Sequence, residues 1–389
     1  MANPQGPLTL IRYWSSFIKS ARHGRRVASY FDATAAAGWR NVLVCSRPPE
    51  TAEWADPLRA SRVAIIYHPR ARGNFDASCV ARVFRLCRSL SCDVLHCDNN
   101  HTSPLMGAAL ARVPVRVWTK HAMEPASEAG RPESWRDRTA LSLRLTLALA
   151  SRVLPVSDAV REELLRKGAD PRRTSVLLLP LDAQTPAPVD RSTARAALGL
   201  PADAFVVTAI GRAAAVKGWD VLVEAFAALA DSRAYLLLVG DASAEPHFRA
   251  GLDAQIARHG LGERVRFTGH VSDMAPVFAA ADVSVLPSRS EGHALALVEA
   301  LRAGLAVVAS KVGAASDVIS HMRNGLLFDR ESVPQLADRL RALHDDPALR
   351  ERLGTAARTL QGIPTPREHA EALLTTYRSL LARTHGGVR

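Results

Sequence analysis

Cysteine is scarce in this chain. There are five, Cys45, Cys79, Cys87, Cys92 and Cys97, and none in the remaining three quarters of the sequence. An odd, clustered set argues against a disulfide framework. Cys92, His96, Cys97 and His101 invite a zinc assignment, but DVLHC reads as a strand on which His96 and Cys97 face opposite ways. Their spacing matches no common zinc pattern either. No Asp-x-Asp string occurs, and no G-x4-G-K-[ST] phosphate loop. Long apolar runs are also missing: the most apolar helix candidate, Thr139–Ala150, is too short to span a bilayer and carries Arg144. Met1–Pro7 is polar and short, and Arg12 interrupts the apolar segment after it, so no signal pattern is read there. These absences lead to the expectation of a cytoplasmic protein that needs neither metal nor cofactor.

What is present is the composition of a soluble globular chain, 48% hydrophobic and 23% charged over 389 residues, long enough for two domains. The net charge of +12 is uneven. Residues 1–185 hold 27 Lys and Arg against 16 Asp and Glu, and the remainder 23 against 22. The first half is therefore expected to meet an anionic partner, such as a membrane surface or a lipid phosphate. Lys19, Arg22, Arg25 and Arg26 form one local basic cluster. Nucleic acid is not an expected partner, because no helix-turn-helix, zinc-finger or aromatic-interleaved basic motif accompanies the charge.

Short apolar runs alternate with helical stretches. Strands are expected at Leu8–Ile11, Asn41–Cys45, Val63–Tyr67, Asp93–Cys97, Val115–Thr119, Arg152–Val156 and Val176–Leu179. The helix-like stretches between them include Arg26–Ala37, Ala77–Leu90 and Asp158–Lys167. After the proline-rich break Pro180–Val189 the pattern restarts at Phe205–Ile210, Tyr235–Val239, Val265–Thr268, Asp282–Leu286 and Ala306–Ala309. Such alternation predicts parallel, doubly wound α/β sheets in two tandem domains, 1–183 and 184–365. An amphipathic helix closes the chain over 366–389.

Two stretches carry chemistry. Asp282–Ser310 reads as strand, loop, helix, turn, strand, with Glu291 in the loop and Glu299 on the helix. The loop lies at the carboxyl end of a strand, where α/β folds bind ligands, and the helix N-terminus favours an anion. Ala209–Asp220 places Arg212 and Lys217 beside the turn at Gly211, cations suited to a diphosphate that gains charge as it leaves. A phosphate-and-polyol ligand such as a nucleotide-sugar fits both stretches.

PSRSEGHALALVEALRAG resembles the E-x7-E signature of retaining glycosyltransferases of family 4, which have the GT-B fold of two Rossmann-like domains facing each other across a cleft. GR-x4-KG at Gly211–Gly218, VGD at Val239–Asp241, RFTGHV at Arg266–Val271, VGAASDVI at Val312–Ile319 and NGLLF at Asn324–Phe328 resemble that family's segments in order. The resemblance implies that Arg212 and Lys217 bind the donor diphosphate, and that Glu291 contacts sugar hydroxyls and Glu299 the ribose. It further places Gly211, Gly240, His270, Val271, His293, Ala294 and Leu295 around the donor. Where relatives read E-G-F-G-L, this chain has His293 and Ala294, so a methyl group replaces a glycine. In the first half, Leu95–His101 and Trp118–His121 resemble that family's substrate-reaching segments, and since the matching histidine of relatives approaches the donor sugar, His121 is the first-domain catalytic candidate. Arg12–Phe17 stands where relatives have a glycine-rich turn, with serines as its substitutes. Ser157 is expected to cap a helix. The implied activity is metal-independent retaining transfer from a nucleotide-diphosphate sugar to a saccharide, lipid-linked or small-metabolite acceptor in cell-surface polysaccharide, lipopolysaccharide or glycolipid synthesis. The terminal helix would cross back to the first domain. A nucleotide-sugar epimerase and a non-catalytic nucleotide-binding protein are the alternatives. The donor base stays open among UDP, GDP and ADP.

Overall fold

A computed structural model describes residues 6–14, 21–46, 53–98, 102–123, 133–181, 189–271, 273–359 and 362–386. Lys19, Ser15–Phe17, Asn99–His101 and most of the expected linker lie outside these residues, so the readings placed on them have no structural account.

The chain divides into two compact units. The first comprises 1–121, 128–183 and 364–389, and the second 122–127 and 184–363. The first unit is built on β1 (Thr9–Trp14), β2 (Arg40–Cys45), β3 (Ala64–Tyr67), β4 (Val94–Asp98), β5 (Val115–Lys120) and β6 (Arg152–Pro155). They form one parallel sheet in the order β3-β2-β1-β4-β5-β6. The second is built on β7 (Phe205–Ile210), β8 (Ala234–Val239), β9 (Val265–Gly269), β10 (Val283–Leu286), β11 (Ala306–Ser310) and β12 (Leu326–Phe328), in the order β12-β11-β10-β7-β8-β9. Both are doubly wound α/β sheets. The central strands read as continuous apolar runs because helices cover both faces. Strand order reverses between β1 and β4 in the first sheet and between β10 and β7 in the second, and such a point opens a crevice at the carboxyl ends.

In the first unit the helices Ala77–Ser89, Thr102–Leu110 and Glu133–Leu149 pack side by side, while Ala21–Ser29, Asp32–Ala36, Asp56–Ala60 and the terminal helix Pro366–Gly386 form a second group. Right-handed crossovers on either side of the reversal put these groups on opposite sheet faces. Leu373, Tyr377, Leu380 and Leu381 of the terminal helix belong to the same core as Leu10, Phe31 and Val94. His369 Nδ1 bonds the Leu178 carbonyl at 2.9 Å, and Tyr377 Oη bonds His96 Nδ1 at 2.6 Å.

Three readings of secondary structure need correction. Val176–Leu179 forms no strand. Ser175 N–H and Leu177 N–H donate to Val153 and Pro155, but Pro155 has no N–H to return and the ladder stops. The stretch Arg26–Ala37 is two helices. They part at Tyr30 and Phe31, both fully buried. Leu326–Phe328, read as a motif only, is an edge strand paired with β11.

Candidate active site

In the second unit, the loops that follow five neighbouring strands carry the residues singled out above. Lys217 follows β7, Gly240 β8, His270 β9, Glu291 β10 and Gly313 β11. All five lie at the carboxyl edge of the parallel sheet, and Lys217 and Glu291 flank the reversal between β7 and β10. There the Lys217 ammonium donates to Glu291 Oε1. Ser288, fully buried, donates its hydroxyl to the same oxygen at 2.8 Å. The Lys217 stem crosses Gly211, where an added Cβ would stand 3.2 Å from its Cδ.

Two glycines let these loops close on one another. Gly218, at φ +63°, caps the helix Trp219–Ala227, and a Cβ there would sit 2.1 Å from the Pro287 carbonyl oxygen. Gly313, at φ +53°, lies with its Cβ position 2.6 Å from the Glu291 carbonyl oxygen. Arg289 ties the same loops with side-chain bonds. Its fork donates to Asp220 at 2.8 and 2.7 Å, its Nε to Glu331 at 2.7 Å and one Nη to the Ala215 carbonyl at 2.6 Å. Hydrogen bonds from Asp220 and Glu331 raise the already high pKa of this guanidinium, in spite of partial burial.

The helix Leu295–Ala303 begins at Ala294, which holds φ +55° and ψ +63°. This left-handed conformation is one an L side chain adopts at a cost, and glycine without one. Glu299 lies half-buried on that helix and His293 is buried beside its start. Gly211 N–H donates to Val239 and Gly240 N–H to Gly269, each at 2.9 Å, so the ends of β7, β8 and β9 are in register. Arg212 and His270 are exposed, and Val271 and Leu295 half-buried. The structure thus brings Lys217 and Glu291 into contact. It places Arg212, Gly240, His270, Val271 and Glu299 along the same edge.

The first unit has its own cluster at its reversal. Arg12, 2% exposed in the middle of β1, donates Nε and Nη2 to the two oxygens of Asp98 at 2.9 and 2.8 Å. His121, just past β5, bonds the same carboxylate through Nε2 at 2.9 Å and lies against Trp14, ring centroids 5.6 Å apart. Burial disfavours charge on Asp98, but the Arg12 guanidinium and the hydrogen bond from His121 hold its carboxyl well below the usual range. The Asp98 carboxylate can only accept, so His121 Nε2 is the donor in this bond. His96 is buried between Thr119 and Tyr377, and burial holds it neutral. Ser157 caps the helix Asp158–Arg166 through Val160 N–H at 3.3 Å.

Sequence reasoning missed Arg12, Asp98, Ser288 and Arg289 as site residues. Arg12 had a signal, as a lone charge inside an apolar strand, and so did Asp98, at a strand end beside a segment already singled out.

Residues 190–360 match the model for glycosyl transferases group 1, and residues 23–184 the model described as Glycosyltransferase Family 4. The second unit is thus similar to the group 1 glycosyltransferases and the first to Glycosyltransferase Family 4. A D-inositol 3-phosphate glycosyltransferase of Pseudarthrobacter chlorophenolicus is 33% identical over 278 residues, covering 68% of this chain and 65% of the relative. Its counterpart in Streptomyces avermitilis is 36% identical over 226 residues, covering 54% and 48%. The match thus spans less than two thirds of the length of either relative. Among solved structures, Anabaena Alr3699/HepE in complex with UDP has the same fold, with a TM-score of 0.78 at 22% identity, covering 96% of this chain and all of that one. The fold of this chain is therefore the two-domain GT-B architecture of that structure.

Proposed function

We propose that this protein transfers a sugar, with retention of configuration, from a UDP-sugar to a hydroxyl acceptor of the glycolipid or cell-surface polysaccharide class. The observation that carries the reading is the Lys217–Glu291 pair at the reversal of the second sheet, with Glu299 eight residues beyond Glu291. A cation and two carboxylates at one strand edge suit a ligand that is phosphate at one end and polyhydroxylated at the other. UDP and UDP-glucose are bound by Alr3699/HepE, which supports uridine as the base.

Each residue then has a role. Lys217 and Arg212 take up the charge that develops on the departing diphosphate; such a contact contributes about 2.7–4 kcal/mol to barrier lowering. When phosphate displaces Glu291 from Lys217, the carboxylate is released to accept hydroxyls of the sugar. Glu299 accepts from the ribose. The loop residues Gly211, Gly240, His270, Val271, His293, Ala294 and Leu295 shape the donor pocket. His121, held by Asp98 through Nε2, is the catalytic candidate of the first domain. No covalent nucleophile is assigned, and the leaving diphosphate itself takes the acceptor proton. Arg212 and Lys217 supply the positive charge for this step, so we propose that turnover needs no metal and survives EDTA.

The test is incubation with UDP-glucose and other UDP-sugars, separately with lipid-linked saccharides and with inositol phosphates, read by mass spectrometry and by the anomeric proton coupling of the product. A product of the donor's own anomeric configuration is expected. An inverted product would overturn retention, and rearranged donor formed without acceptor would favour the epimerase.

A further inference from the structure

The two helices Ala77–Ser89 and Thr102–Leu110 leave an apolar groove of about 480 Å³ on the surface of the first unit. Its walls include Phe75, Val80, Phe84, Met106 and Leu110. Phe75 is 46% exposed, Phe84 38% and Leu110 63%, and Leu141, on the helix packed against Thr102–Leu110, is 59% exposed. The stripe follows from helical spacing. Cys79, Val83 and Cys87 face the core, whereas Ala77, Val80, Ala81 and Phe84 form a second apolar row turned away from it. Gly107 seats the two helices closely enough to make the groove floor continuous, since a Cβ there would stand 2.6 Å from the Val80 carbonyl oxygen.

The charge around this groove is mostly positive. Between residues 57 and 92 there are seven arginines and a single carboxylate, Asp76. That carboxylate is engaged at the helix start, accepting from Ser78, Cys79 and Arg72 N–H groups. Arg70 and Arg72 on the entering loop, Arg85 and Arg88 on the first helix and Arg112 after the second are all exposed. None of these five has an ion-pair partner among the described residues. Exposed aromatic and aliphatic side chains ringed by uncompensated arginines are the two signals that together hold a protein on an anionic bilayer.

We infer that the face formed by Ala77–Ser89 and Thr102–Leu110 docks on an anionic membrane, with Phe75, Phe84 and Leu110 entering the headgroup–acyl boundary and Arg70, Arg85, Arg88 and Arg112 meeting lipid phosphates. This locates the membrane partner on the sheet face opposite the Ala21–Ser29 helix, the one that carries the Arg25–Arg26 cluster. It also presents the first unit to lipid-borne acceptors, which is the part that rests on the proposed activity. Docking itself does not rest on that activity, because vesicle binding is read without turnover.

The test is co-sedimentation of the full chain with phosphatidylcholine–phosphatidylglycerol vesicles and with phosphatidylcholine vesicles. Wild type is compared with Phe84→Ser/Leu110→Ser and Arg85→Glu/Arg88→Glu, each checked for an unchanged melting temperature. Binding to the anionic vesicles is expected, weakened by high salt and reduced about tenfold or more in both variants. Binding that is equal in both variants would overturn the inference, as would wild type left in the supernatant. A dimer that Phe84→Ser/Leu110→Ser converts to monomer while vesicle binding is unchanged would assign the groove to a second copy and equally overturn it. If the altered groove still folds and transfers sugar to a soluble acceptor but loses vesicles, docking and catalysis are separate, as proposed.

Discussion

The guanidinium of Arg12 holds the carboxylate of Asp98 by two hydrogen bonds, 2.9 and 2.8 Å, across the strand pair at which the first sheet reverses direction. Lys217 and Glu291 stand in the same relation to the reversal of the second sheet, with one difference. The Arg12–Asp98 side chains are 2% and 0% exposed, whereas Lys217 keeps 22% and Glu291 11%. The first pair is sealed and structural, and the second is reachable by a ligand.

Asp98→Asn leaves the Arg12 charge buried without its partner, and breaking a buried pair in this way costs about 3–5 kcal/mol. His121→Gln, at the exposed end of the same cluster, is expected to cost about 1 kcal/mol, that of an ordinary hydrogen bond. Urea unfolding of both variants checks the contrast. Equal losses would contradict the assignment of Arg12 and Asp98 as the structural core of the cluster.

Acid sensitivity follows from two buried histidines and this aspartate. Burial lowers His369 to about 3 and His96 well below its usual value, so in the folded protein both stay neutral where an unfolded chain would bind protons. Their stabilisation is present above the unfolded histidine pKa of about 6.5 and is lost as pH falls below it. Asp98, also depressed, adds a second loss below about pH 4, as pH falls from the unfolded carboxylate pKa towards its lower folded value. The melting temperature is expected to fall from pH 6.5 to pH 4.5, with a shallower slope in His369→Gln. An unchanged slope would place the sensitivity elsewhere.

Arg289→Lys keeps the charge but loses the fork that grips Asp220 and the reach to Glu331. The loops bearing Lys217 and Glu291 would be less well positioned, raising the donor KM several-fold with a smaller effect on kcat. Steady-state kinetics over donor concentration separates the two. A fall in kcat alone would mean that Arg289 acts on the reaction rather than on loop position.

Ala294→Gly removes a side chain from a left-handed position, where it costs roughly 1–2 kcal/mol. The variant is expected to melt at higher temperature, and the added room at the helix start to broaden donor choice. A lower melting temperature would show that the methyl packs favourably enough to outweigh its backbone strain.

Much of the fold was legible because parallel strands covered on both faces read as apolar runs, as in Val283–Leu286 and Phe205–Ile210. Edge elements were not. Leu326–Phe328 is too short to signal, and Val176–Leu179 has the pattern but lacks a donor on its neighbour. Lys217 and Glu291 were found because each sits in a loop between a strand and a helix. Arg12 and Asp98 lie 86 residues apart, and only the sheet reversal, which no local pattern encodes, brings them together. Arg289 falls in the signature loop itself, yet its partners Asp220 and Glu331 are 69 and 42 residues away.

The central claim is that the carboxyl edge of the second sheet binds a nucleotide diphosphate through Lys217 and Glu299. The measurement is the thermal shift given by UDP, with GDP and ADP beside it, for wild type, Lys217→Ala and Glu299→Ala. UDP at about 100 times its dissociation constant should add about 2.7 kcal/mol of stability to wild type and far less to either variant. No shift with any of the three nucleotides, or a UDP shift that both variants keep in full, would contradict the account.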